Sequence, residues 1–414
     1  MGEDKKVREF SPNLALLKAV RHSKTASLSD LCAIAGLDPS TDFRQLSISD
    51  LDFRGSDMEA FIISSDLPEH VSALQMQELA QKLTSPLPEI SDNTGFKTFL
   101  HSISGAVNAT NAAFQRDDHI SGLPTGFVDL DRKIGGLSPA SLVVLAAAPS
   151  IGKTAISTQI AFNIAKASLG DHPRKTGGSV GYFSLQLKAE QLAQRILAIE
   201  SGVPVVNIQR GDITENEFRN YVEAAKMLEN IPLFINDSLA ELDALAIRAR
   251  QLKREAGLDL LVVDMIDDFS DGRASSQRHA SEIETVLRAL KRIAMEHDLC
   301  IFATADLGRV VAKRSDKRPR VSDLAEIAVI NQFADTVLFL HREEFYVEQQ
   351  RPDDYDLEAL ANWQEHMERV HGYAEILVAK QRNGPTGPID LSFDARLTQF
   401  GNLIRPRHHS NLSF

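Results

Sequence analysis

The chain has 414 residues, 43% of them hydrophobic, which suits two or three domains with sizeable cores. Its formal net charge of −12 excludes a surface broadly coated for nucleic acid, while leaving room for a locally basic channel. No apolar run approaches the ~18 residues of a membrane span. The opening Met-Gly-Glu-Asp-Lys-Lys has no apolar signal core, and the two cysteines, Cys32 and Cys300, lie far apart; together these fit a reduced, cytoplasmic setting without membrane.

Residues 1–91 form a divergent N-terminal region, with helical patterning at 13–21, 28–35 and 71–83. Within 42–61, Phe43, Ile48, Phe53 and Met58 recur every five residues, with Leu46 and Leu51 between them and Asp-Phe-Arg repeated at Asp42 and Asp52. The cadence resembles a pentapeptide coil of a single turn; an irregular segment is the alternative, since solenoids need several stacked turns to bury a core. Residues 92–118 read as a linker helix. Asn93 or Thr94 can cap it, and Phe96, Phe99, Leu100, Ile103, Val107 and Phe114 share one face.

From residue 119 to 404 strands and helices alternate, the pattern of a mostly parallel sheet covered on both faces. Strands are expected at 142–147, 181–185, 233–236, 258–264, 299–304, 336–341, 374–380 and 388–393, with helices at 188–200, 242–256 and 281–297 between them. The stretch 147–154, Ala-Ala-Pro-Ser-Ile-Gly-Lys-Thr, follows an apolar strand and opens a helix. In a loop of this kind, here Pro149 to Thr154, backbone N–H groups such as those of Ser150, Ile151 and Gly152 cradle phosphate oxygens; Lys153 can reach the β/γ-phosphates and Thr154 can ligate Mg²⁺. The first glycine of the usual P-loop pattern is Ala147 here. A second apolar strand, Leu260-Leu261-Val262-Val263, ends in Asp264, where such sites place the acid of the magnesium shell. ATP and Mg²⁺ are the cofactors this pairing implies. An insertion at about 347–372 carries the single tryptophan, Trp363, and Leu357, Leu360, Trp363, Met367 and Val370 give it one apolar helical face. Residues 405–414 are a polar tail in which His408 and His409 lack ligand spacing.

Residues 119–404 resemble the motor domain of DnaB-type bacterial replicative helicases, within the RecA-like hexameric P-loop ATPases. The resemblance runs through Gly122-Leu-Pro-Thr-Gly-Phe-Val-Asp-Leu-Asp, Gly136-Leu137, the loop at Pro149 to Thr154, Tyr182-Phe-Ser-Leu with Glu190-Gln191, Asp316-Lys-Arg-Pro, Ser322-Asp-Leu, Ala334-Asp335 and Lys380-Gln-Arg-Asn-Gly-Pro-Thr-Gly. It implies an α/β, RecA-like fold preceded by a smaller, mainly helical region. It also implies a hexamer, in which Lys380 and Arg382 act in trans on the neighbour's γ-phosphate. Single-stranded DNA is the implied partner, with an intact DnaB, a helicase loader or primase as further candidates. The linker helix would dock on an adjacent motor domain; packing on its own N-terminal domain is the alternative.

The departures concern function. The family's catalytic Glu after the second strand is Gln186, and an amide can orient water but cannot take its proton. Asp267, Asp268 and Glu190 are candidate substitute bases. Asp306 stands where the family senses the γ-phosphate with Gln, so an anion faces the phosphate tail. In the DNA-contacting loop the pattern Leu-Arg-Glu-Ser-Gly becomes Leu324-Ala325-Glu326-Ile327-Ala328. Nearby cations remain at Arg309, Lys313, Arg314, Lys317, Arg318 and Arg320; with Glu326, the arginines among them form the candidate DNA track. Three readings follow: an active ATP-driven helicase of this type; a weak DnaB paralogue serving as regulator, loader partner or mixed-ring subunit; or a KaiC-like or RadA-like ATPase, which the run from Lys380 to Gly387 disfavours. The family-level expectation is an ATP-binding replicative helicase acting on single-stranded DNA, with hydrolysis impaired by these changes.

Overall fold

The computed structural model describes residues 120–170, 177–238, 242–269, 276–307, 311, 314–325, 327–382 and 384–403, together with seven helical positions between 99 and 111. Two units divide the chain, 1–107 and 108–414. In the first, Phe99, Ser102, Ile103, Ala106 and Val107 are helical, as their spacing predicts, and Phe99, Ile103 and Val107 are exposed. The expected helices at 13–21, 28–35 and 71–83, the five-residue cadence at 42–61 and the tail at 405–414 lie outside the described residues.

The second unit begins with a tight entry. Gly122 to Leu137 closes on itself through a bridge between Leu123 and Leu137. The buried Asp131 carboxylate collects the Thr125 N–H at 2.8 Å, the Thr125 hydroxyl at 2.7 Å and the Gly126 N–H at 3.1 Å. Asp131 lies on α1 (Val128–Ile134), which Gly135 ends with a left-handed φ of 75°.

The elements then follow as β1 (Leu142–Ala147), α2 (Lys153–Ala167), β2 (Val180–Ser184), α3 (Ala189–Ser201), α4 (Val205–Arg210), α5 (Glu215–Met227), β3 (Leu233–Asn236), α6 (Leu242–Ala256), β4 (Leu260–Asp264), α7 (Ser276–His297) and β5 (Cys300–Asp306). After these come α8 (Ala328–Phe333), β6 (Thr336–His341), α9 (Glu343–Glu348), α10 (Leu357–Val370), β7 (Tyr373–Gln381), β8 (Gly387–Asp394) and β9 (Gln399–Asn402). The sheet order is β3-β2-β4-β5-β1-β6-β7-β8-β9. It is parallel from β3 to β6 and antiparallel from β6 to β9.

Every residue of β1, β2, β4 and β6 is buried, as continuous apolar strands must be when helices cover both faces. On α7, Ile283, Val286, Leu287, Leu290, Ile293 and Ala294 are buried at helical spacing. α5 opens with a reciprocal Thr214–Glu217 capping box. Two features of the sheet differ from the sequence expectation in ways that matter. β5 continues past Thr304 to Asp306, which makes Asp306 a strand residue paired in register with Ala147. β9, absent from the expected strands, returns over α2.

That return is pinned by Gln159, a buried polar residue of α2. Its Nε2 donates to the Phe400 carbonyl at 2.6 Å, and its Oε1 accepts the Phe400 N–H at 2.9 Å. Gln159→Leu should leave both backbone groups buried without partners and cost about 1–3 kcal/mol. A urea melt of the full chain checks this, with an unchanged denaturant slope expected.

Candidate functional site

The loop after β1 is shaped by two backbone positions. Ser150 has a φ of 64° and Gly152 a φ of 117°. A Cβ on Gly152 would meet the Phe400 ring at 2.9 Å, so glycine is required there by conformation and by space. The loop is thus pressed against β9 on one side and opens α2 on the other. Pro149, Ser150, Ile151 and Gly152 lead directly into Lys153 and Thr154, the first residues of the helix. The Lys153 ammonium donates to the carbonyls of Ala147 at 3.0 Å and Ala148 at 3.2 Å. Burial pulls its pKa below the ordinary lysine range, and the carboxylates of Asp306, Asp267 and Asp264 push back.

Asp264 ends β4 beside this loop, in register with Ser184 of β2. It is buried, yet held by hydroxyls: Thr304 donates to Oδ1, and Tyr182 donates to Oδ2 at 3.0 Å. The Tyr182 hydroxyl in turn meets Ser157 of α2 at 2.8 Å. Burial, then the Asp264 charge, holds the Tyr182 phenol well above its usual range, so it stays a donor. The sequence reading missed this chain of Ser157, Tyr182, Asp264 and Thr304. Its only signal was a polar residue at the inward positions of otherwise apolar strands. Among the described residues no three His, Cys, Asp or Glu side chains group as a metal cluster. One carboxylate and one hydroxyl, Asp264 and Thr154, fit Mg²⁺ instead, which keeps waters and shares phosphate oxygens.

Gln186, Asp267, Asp268 and Asp306 fall on the same rim. Gln186 lies just past β2, exposed, and its amide donates to Asp268 Oδ1 at 3.4 Å. Asp268 belongs to a 3₁₀ turn, Ile266–Phe269, immediately after β4. Burial lifts the Asp268 carboxyl above the ordinary aspartate range; the Gln186 bond opposes this and the Asp264 charge adds to it. Asp267 is engaged otherwise, since its Oδ2 accepts the Asp306 N–H at 2.9 Å. Glu190 is exposed in the first turn of α3. Of the three substitute bases, Asp268 is the one bonded to Gln186.

Lys380 and Arg382 do not join this rim. Val143 pairs with Thr336 and Thr336 with Gln381, so both cations sit where the parallel strands begin. From the level of Val143 and Val144 to Ala147, where Lys153 is seated, is roughly 10–13 Å along the strand, with two strand spacings across the sheet besides. Lys380 Nζ donates to the carbonyls of Asn331 and of Ala334, the latter at 2.8 Å. Burial, then the Arg382 cation, lowers its pKa, while Asp335 opposes. Arg382 Nη1 meets Asp335 Oδ1 at 2.9 Å, with the side chain 60% exposed.

The candidate DNA track is largely paired within the chain. Arg314 grips Asp323 with two bonds, at 2.8 and 3.0 Å. Arg318 grips Glu375 through Nη2 at 2.8 Å and Nε at 3.1 Å. Arg320 meets Asp316 at 2.7 Å. Arg309, Lys313 and Glu326 lie outside the described residues. The insertion packs on its own unit, where Trp363 Nε1 donates to the Val347 carbonyl at 2.7 Å.

A model of the DnaB-like helicase C-terminal domain family matches residues 122–402. The chain belongs to that family. A curated relative, the replicative DNA helicase DnaB of Rickettsia bellii (strain RML369-C), is 34% identical over 335 residues, covering 80% of this chain and 67% of that protein. Among solved structures, an isolated ATPase domain aligns with a TM-score of 0.61 at 26% identity, covering 74% of this chain and 99% of that one. A DnaB-like replicative helicase, described with its interactions with primase, aligns at 22% identity with a TM-score of 0.59, covering 91% and 83%, and shares the fold. No described helix is long and apolar enough to cross a membrane.

Tyr182→Phe should remove one of the two hydroxyls that hold Asp264 and cost about 2 kcal/mol, the range for a bond to a charged group. Thermal and urea unfolding of the full chain measure it; a stability unchanged from the natural chain would show that water replaces the phenol.

Proposed function

We propose that this chain is an ATP-binding motor of the DnaB type that acts on single-stranded DNA during replication, with slow hydrolysis. The observation that carries the reading is the shared rim of Lys153, Thr154, Asp264, Gln186 and Asp306 at the ends of parallel strands. ATP and Mg²⁺ fit it as substrate and ion. The loop N–H groups bind the phosphates, Lys153 balances the added charge, and Thr154 and Asp264 hold the ion through oxygen. Asp306 is tolerated there because Lys153 lies among the carboxylates.

Gln186 orients the attacking water and Asp268 accepts its proton. A carboxyl lifted above the ordinary range is the stronger base, and its bond to Gln186 joins the two roles. The base comes from a 3₁₀ turn rather than from the end of β2, and looser positioning of this kind slows the step. Lys380 and Arg382 serve the γ-phosphate of a neighbouring subunit, since their own nucleotide site is a strand length away. That requires an oligomer, a hexamer by family. Single-stranded DNA is contacted weakly, because Arg314, Arg318 and Arg320 already carry carboxylate partners. The weak-paralogue reading, with an intact DnaB, a loader or primase as partner, draws on the same substitution of Gln186.

Steady-state phosphate release, with and without single-stranded DNA, tests the chemistry. Gln186→Glu should raise turnover on the order of 10-fold, and Asp268→Asn should lower the residual rate by about 10². The double variant should match or exceed Gln186→Glu, because it lacks two facing carboxylates. In the natural chain turnover should fall as acid protonates Asp268, and this limb should vanish in Asp268→Asn. If Asp268→Asn turns over normally, the assignment of the base is wrong.

Sedimentation with and without Mg-ATP addresses the assembly. A large closed oligomer is expected in at least one condition, and a strict monomer in both at micromolar concentration would remove the trans role of Arg382.

A further inference from the structure

Asp335 immediately precedes β6 and takes no part in the nucleotide rim of its own chain. It is nevertheless among the most heavily engaged buried carboxylates. Its Oδ2 accepts the Leu142 N–H at 2.9 Å and the Lys291 ammonium at 2.6 Å. Lys291 is itself fixed by the Ala140 carbonyl at 2.9 Å. With one oxygen locked to β1 and α7, the other is left to face Arg382 at 2.9 Å. The Arg382 N–H also donates to the Asp335 carbonyl, at 3.0 Å. Lys380, two residues earlier, is seated on the carbonyls of Asn331 and Ala334.

Both cations are therefore mounted on five consecutive residues, 331–335. The contact to Asp335 uses one guanidinium nitrogen and leaves the Arg382 side chain 60% exposed, so it orients the group rather than hiding it. Beside it lies a cavity of about 390 Å³, bordered by Ser138, Lys291, Asp335, Gln381 and Arg382. Without the carboxylate, the guanidinium has that space to turn into.

We propose that Asp335 is the positioning residue for the trans cations, anchored by Lys291 and the start of β1 so that Arg382 is held outward in the geometry a neighbour's γ-phosphate requires. This rests on the trans role of Arg382 proposed above. A guanidinium stabilises developing charge on a transferring phosphoryl group only if it is aimed correctly, and misplacement by ~1 Å can cost about 10²-fold in rate.

The test is a double-mutant cycle in phosphate release by the full chain, in the natural background and in the Gln186→Glu background. Arg382→Ala should lower kcat by about 10²–10³. Asp335→Asn should lower kcat about 10-fold or more, with the KM for ATP within about twofold. The double variant should be no slower than Arg382→Ala alone, because both changes remove one effect. Asp335→Asn also orphans the Lys291 cation, so Asp335→Asn with Lys291→Met carries the test if the single variant unfolds; it should melt near the natural chain and keep the kcat defect. An unchanged kcat in the Asp335 variants, or defects that multiply in the double variant, would overturn the proposal while leaving the trans role intact. Normal turnover in Arg382→Ala, or none in either background, would remove that role and the proposal with it.

Discussion

Four neighbouring strands, β2, β4, β5 and β1, run parallel, with β2 and β4 ending together and β5 and β1 ending together two residues further on, and the chemistry of the motor unit depends on that register. Ser184 lies opposite Asp264, and Ala147 opposite Asp306. The loop before Lys153, Asp264 and Gln186 consequently share one rim, although Asp264 lies more than a hundred residues beyond the loop in the chain. Burial on both faces fixes the register, since a slip by one residue would turn every side chain to the opposite face. The same register sends Lys380 and Arg382 to the other rim. The parallel strands thus separate the rim proposed to hold the chain's own nucleotide from the rim proposed to serve another chain's.

Charge balance then decides how the rim behaves. Lys153 is a buried cation among Asp264, Asp267 and Asp306, and those carboxylates recover part of what burial takes from it. Asp264 is buried with both carboxylate oxygens engaged, accepting from the hydroxyls of Tyr182 and Thr304. The basic loop follows the opposite logic. Arg314, Arg318 and Arg320 look like a phosphate track when counted along the sequence, but Asp323, Glu375 and Asp316 neutralise them in space. Of these partners, Glu375 comes from β7, more than fifty residues away.

That contrast marks how far the sequence could be read. The strand ending at Ala147, the helix opening at Lys153 and the acid at Asp264 are local patterns, in which spacing alone fixes geometry. The eight expected strands and the mixed, mostly parallel sheet came from apolar runs of the right length. β9 was not legible, because Gln399–Asn402 is short and polar and is held by Gln159 and β8. Tyr182 and Thr304 were hidden for another reason. A hydroxyl in an apolar strand shows no partner until the neighbouring strand is laid beside it. The pairing of Gln186 with Asp268 and that of Arg382 with Asp335 are likewise properties of strand order.

The 3₁₀ turn at Val321–Ala325 holds the Arg314 anchor, Asp323, and is followed almost at once by α8, which runs into residues 331–335. Lys380 and Arg382 are both seated on that last stretch. Thirteen residues, 323–335, therefore run from the partner of Arg314 to the seats of both cations. On the trans reading proposed above, a displacement of residues 331–335 would reach the seats of both cations at once.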